Sequence, residues 1–135
     1  MDQKLGKSYK LCSHKRIQAL FKVGKSVRCF PLVGVYSIHK RTDGEPFQLV
    51  ISAPKRQFKK AHDRNRVKRL MKEAIRENKL TLSSYLLEQQ LQIDLFISYT
   101  NPEIITVDRL SQKINQLFKL IIHDLAKTHS NETTL

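Results

Sequence analysis

The sequence predicts a single α+β domain, with helices packed on a mostly antiparallel sheet. Three observations carry that expectation. The chain has 135 residues, 40% of them hydrophobic, which suits one domain with one proper core. Segments with apolar residues at helical spacing alternate with segments that are β-branched and aromatic. No repeat, low-complexity tract or interdomain linker interrupts them.

Residues 1–12 are polar and basic and are expected to form an extended arm, ahead of a domain over 13–127. Ser13 can cap a helix from His14 to Val23, which Gly24 ends. Ile17, Leu20 and Phe21 at i, i+3 and i+4 face the sheet, leaving Lys15, Arg16 and Lys22 in solvent. Val27 to His39 reads as strand, with Pro31 marking an edge, a bulge or a break between two short pieces. Thr42-Asp43-Gly44-Glu45-Pro46 is a turn signal. Phe47 to Ala53 is the next strand, expected to pair antiparallel with the one before it.

Pro54 to Asp63 is a connector carrying Lys55, Arg56, Lys59 and Lys60. Asp63 is a candidate N-cap for a second helix ending near Asn78 or Lys79. Its buried stripe is Val67, Leu70, Met71, Ala74 and Ile75. Thr81 to Gln90 reads as a short helical turn or loop, and Leu91 to Tyr99 as a strand that Asn101-Pro102 stops. Thr106 or Asp108 starts a last amphipathic helix, with Leu110, Ile114, Leu117, Phe118, Ile121, Ile122 and Leu125 on one face, ending about Lys127. The polar tail 128–135 is expected to fray.

Charge is the second strong signal. The net charge is +13, and residues 55–76 carry ten bases and two acids, which places +8 of it there. Residues 80–135 carry four bases and six acids, so the charge is a local feature rather than a uniform coat. On the second helix, Arg64, Asn65, Lys68, Arg69, Lys72 and Arg76 share an arc about 140° wide at roughly 100° per residue. No acid falls in that arc; Glu73 and Glu77 lie on the remaining sector beside Arg66. A solubilising face mixes its signs, whereas an acid-free donor surface suits a polyanion.

Catalytic constellations are lacking. Asp43, Asp63, Glu73, Asp94 and Asp108 sit on different elements, so paired carboxylates for two metals are not expected. His62 is the one histidine beside the basic region, and a phosphate contact or solvated loop position suits it better than acid–base chemistry. Cys12 and Cys29 lack zinc-ligand spacing and make no disulfide framework. No apolar run reaches a membrane span and no signal-peptide core leads the chain, so a cytoplasmic protein with no membrane partner is expected.

Arg64-Asn65-Arg66-Val67-Lys68-Arg69, with Lys72 and Arg76 beyond, resembles the signature of the bacterial ribonuclease P protein subunit. Upstream, Ile51-Ser52-Ala53-Pro54-Lys55-Arg56 resembles that family's strand ending in Ser-x-x-Lys-Lys/Arg. Phe21-Lys22-Val23-Gly24-Lys25 resembles the end of its first helix. The likeness spans about residues 5–125. Two features depart from it: Ile17 stands where many members have Phe, and the connector Gln57–Asp63 is a residue longer and lacks their Gly-Asn pair.

The resemblance implies an α-β-β-β-α-β-α sandwich with a left-handed crossover. It also implies a ribonucleoprotein endonuclease in which a catalytic RNA, with Mg2+, removes 5′ leaders from precursor tRNA. The protein's part would be to bind that RNA and the tRNA through Lys55, Arg56, Lys59, Lys60, Arg64, Asn65, Arg66, Lys68, Arg69, Lys72 and Arg76. A cleft between the first helix, the basic helix and the sheet face would take the single-stranded leader, with Ile17, Phe21 and Tyr36 as candidate platforms and Lys55 nearby. The rival reading is a ribosome- or assembly-associated RNA-binding protein; a stand-alone nuclease ranks below both.

Overall fold

A computed structural model describes residues 9–11, 13–39 and 45–133, with side chains placed through 127. The turn signal at 42–44, most of the basic arm and Cys12 lie outside the described residues. The elements are α1 (His14–Val23), β1 (Lys25–Cys29), β2 (Leu32–Ile38), β3 (Phe47–Ser52), α2 (Ala61–Glu88), β4 (Ile93–Tyr99) and α3 (Val107–Thr133). Ser13 caps α1 as expected, its hydroxyl accepting from the Arg16 amide at 3.3 Å. Gly24 closes it, its N–H donating to the Leu20 carbonyl at 2.8 Å. Phe30-Pro31 splits the long strand into the antiparallel pair β1 and β2.

Strand order is β1-β2-β4-β3. The expected antiparallel pairing of β2 with β3 is therefore wrong. β4 lies between them, antiparallel to β2 and parallel to β3. A turn signal reports that the chain reverses, not that the two strands become hydrogen-bonded neighbours. The parallel β3–β4 pair needs a long crossover, and α2 supplies it.

Alternation sorts the sheet into two faces. Leu32, Tyr36, Phe47, Leu49, Leu95 and Ile97 point to the side where α2 and α3 pack, and they join the main core. Val33, Val35, Val50, Asp94, Phe96 and Ser98 point to the other side, where α1 lies across β2 and β4. Between α2 and α3 the Asn78 amide donates to Ser111, and Asn115 donates to Asn78, satisfying the polar groups at that seam.

Both long helices outrun their expected ends. α2 continues through Thr81–Glu88 because Leu82 and Leu86 are fully buried, so packing overrides the weaker helix propensity of Thr81, Ser83 and Ser84. α3 continues to Thr133 rather than fraying after 127. α2 also starts earlier, at Ala61 with Lys60 at the N-cap position, and Asp63 sits in its first turn, where a carboxylate favours the helix dipole. Of the arm, residues 9–11 are docked. The Leu11 amide donates to the Leu49 carbonyl at 3.0 Å, and the Tyr9 ring packs 5.0 Å from that of Phe47.

Three buried phenols make stability pH-dependent. Burial pushes Tyr9 up to about 12, with Glu45 adding to the effect. It also raises Tyr36, whose hydroxyl donates to Asp124, and Tyr99, against an opposing hydrogen bond from the Ile105 amide. The folded values exceed the unfolded value of about 10, so below that pH both states are protonated and stability is complete. Above it the unfolded chain loses its protons first. The urea midpoint should stay flat to about pH 10 and fall toward about pH 12; a midpoint independent of pH across that window contradicts this account.

Candidate RNA interface

The basic unit begins where β3 ends. The Pro54 carbonyl accepts from the amides of Gln57 and Phe58, both at 3.1 Å, which turns the chain sharply. Phe58 is 4% exposed and packs 5.7 Å from Tyr99, anchoring the connector in the core. Sequence reading passed over Phe58, although a lone aromatic in a cationic segment was the available signal. With that anchor set, Lys55, Arg56, Lys59 and Lys60 are all exposed. Arg64 has a different part from the others. Its Nη1 donates to the carbonyls of Phe58 (2.9 Å) and Lys59 (3.0 Å), fastening the connector to the first turn of α2.

Beyond it, Asn65, Arg66, Lys68, Arg69 and Lys72 are exposed, while Val67, Met71, Ala74 and Ile75 on the opposite side are buried. The separation of faces read from periodicity is therefore present, with one change at its end. Arg76 is not part of an acid-free surface: its guanidinium forks onto the Glu73 carboxylate, Nε to Oε2 at 3.1 Å. An i, i+3 pair brought the acid across the sector boundary that ideal helical angles had drawn.

The second surface is the sheet face that α1 only partly covers. α1 crosses β2 and β4, which leaves Gln48, Val50 and Ser52 on β3 half-buried beside it. Phe21 is 54% exposed, and its ring meets Phe96 edge-on at 4.8 Å. Ile17 is half-buried on the same helix. These groups share one sheet face, half-open beside α1 with an aromatic pair at its edge, a shallow groove by placement, and Lys55 and Arg56 follow the end of β3 in the chain. Phe96 and Val50 belong to it and were not foreseen, because strand register sets which residues share a face.

Tyr36 does not belong to the groove. It pairs with Leu95 across the ladder, so it points to the opposite face of the sheet, where it is 3% exposed and bonded to Asp124 on α3. A shift of one residue along a strand changes the face, and Val33 and Val35 take the positions that the sequence reading gave to Tyr36. Arg16, expected in solvent, forks instead onto Asp94 of β4. Among the described residues, no three His, Cys, Asp or Glu side chains gather where they could hold a metal ion. No described helix is long and apolar enough to cross a membrane.

A basic, single-domain α+β protein with a cationic helix beside a half-open sheet face is of a kind built to meet nucleic acid. The ribonuclease P family pattern matches residues 5–121. A ribonuclease P protein component from Porphyromonas gingivalis is 35% identical over 112 residues, 81% of this chain and 82% of that one. The chain belongs to the ribonuclease P protein family, and its role is that of the protein subunit in tRNA processing. Solved structures agree on the fold. The Staphylococcus aureus RNase P protein superposes with a TM-score of 0.67 at 22% identity, covering 84% of this chain and 94% of that one. The Thermotoga maritima protein does so with 0.54 at 20% identity, over 88% and 93%.

Proposed function

We propose that this subunit docks on a catalytic RNA through the connector and α2, and holds the 5′ leader of precursor tRNA in the groove beside α1. The observation that carries the reading is the pairing of an exposed cationic row with an adjoining aromatic-walled groove. Phosphate contacts by Arg66, Lys68, Arg69 and Lys72 give affinity through counterion release, and Arg forks grip two oxygens where Lys grips one. Asn65, a neutral donor and acceptor in that row, suits a ribose or backbone group. Phe21, Phe96 and Ile17 offer flat apolar contact to unstacked bases.

Catalysis then belongs to the RNA, with Mg2+ held mainly by it. In this reading the protein's part is to neutralise phosphate repulsion with its cationic row. Such work is done where RNA is transcribed and processed, in the cytoplasm.

The test is cleavage of precursor tRNA by the cognate RNA at low Mg2+, with and without the protein. Stimulation is expected, and Phe21→Ala should weaken the leader-bearing substrate more than mature tRNA. Absence of stimulation sinks the reading. Cleavage by the protein alone, after exhaustive removal of RNA, would place the chemistry on its side chains instead.

A further inference from the structure

We infer that Arg16 and Asp94 act together as positioning residues that set the height of α1 over the groove. The inference rests on the groove being the leader site. Asp94 is on β4, faces α1, and its side chain is 2% exposed; Arg16 is on α1, its side chain 22% exposed. Two guanidinium nitrogens meet the two carboxylate oxygens, with Nε to Oδ2 at 3.1 Å. That fork fixes orientation as well as distance, which a single charge contact would not.

A second contact makes the fork into a clamp. Phe21 lies five residues after Arg16 on α1, and Phe96 lies two after Asp94 on β4. At helical and strand rises, both intervals are about 7 Å. The helix is thus held to one strand at two matched points, with Leu20 fully buried between them. One point would be a pivot; two fix both height and rotation. The exposed edge of Phe21 is presented to the groove only as accurately as this clamp allows.

The charges matter as well. A lone carboxylate under the floor of a groove that receives a polyanion would repel it, and a lone guanidinium there would draw a phosphate down to the floor. Bound together, the two groups offset each other's charge at the floor, whose other residues (Gln48, Val50, Ser52 and Phe96) are uncharged. Bases then face Phe21 and Phe96, while phosphates run toward Lys55 and Arg56.

The experiment uses the holoenzyme assembled with its cognate RNA, and precursor tRNAs with either a long leader or one too short to reach the groove. Arg16→Met and Asp94→Asn should each raise KM for the long-leader substrate by about tenfold, in line with the cost of slight misplacement. Short-leader turnover and mature tRNA affinity should not change. The double variant should be no worse than either single one, and Arg16→Lys, which keeps the charge and loses the fork, should lose less than Arg16→Met. Equal losses on both substrates, or additive losses in the double variant, would assign the pair a merely structural role. If the wild-type holoenzyme itself ignores leader length, the groove reading fails and takes this inference with it. If the wild type discriminates and all the variants match it, the inference alone is overturned.

Discussion

Replacing Lys68, Arg69 and Lys72 together with alanine is expected to weaken binding to the RNA subunit on the order of 100-fold near physiological salt. All three are exposed on α2, and among the described residues no hydrogen bond or ion pair holds them back from a phosphate. Each phosphate contact releases condensed counterion, so the slope of log affinity against log salt should become shallower by about 2–3. Alanine keeps the helix, and the buried stripe on the far side is untouched, so circular dichroism and the melting temperature should hold. Titrating labelled RNA at several salt concentrations measures both quantities. An unchanged slope would show that these side chains face solvent in the complex. Arg64→Ala should behave differently: because its Nη1 is bonded to Phe58 and Lys59, its loss should also loosen the connector.

The second large effect is expected at Gly24. Its φ of -71° is open to any residue, so backbone freedom is not why glycine stands there. Space is. A Cβ at this position would lie 2.2 Å from the Leu20 carbonyl oxygen and 2.7 Å from Val35 Cγ1. The first atom is backbone within the last turn of α1 and can give way only if the helix moves; the second is a stiff β-branched side chain of β2 under the helix. Gly24→Ala should therefore destabilise the fold by about 2–3 kcal/mol, as overpacking does. For a domain of this size that is a fall in Tm on the order of 10 °C. Leader discrimination should weaken at temperatures where the variant is still folded, because α1 is one wall of the groove. A variant with wild-type Tm and wild-type discrimination would show that α1 ends differently.

What could be read from the sequence was whatever is local. Ser13, the Ile17–Leu20–Phe21 spacing and Gly24 define α1 to the residue, since caps and periodicity act within a few positions. The sorting of α2 into buried and cationic faces was legible for the same reason. Pairing was not: no local signal says that β4 enters between β2 and β3, and without that register the side of the sheet taken by Tyr36 is undetermined. Arg16 and Asp94 are 78 positions apart, and nothing in either neighbourhood points to the other. Leu82 and Leu86 extended α2 because the assembled core covers them, which no local signal announces.

The place of β4 has a consequence for the chain as it is made. The last strand in sequence is an interior one in space, hydrogen-bonded to neighbours on both sides. Until residue 99 has emerged from the ribosome, the hairpin of β1 and β2 and the strand β3 have nothing to join them. The cationic stretch 55–76 is synthesised before that moment, so it is exposed to cellular RNA while the sheet that will position it is still unbuilt. Long-range pairing of this kind closes late and slowly. A nascent chain of this protein is a polycation first and a fold second.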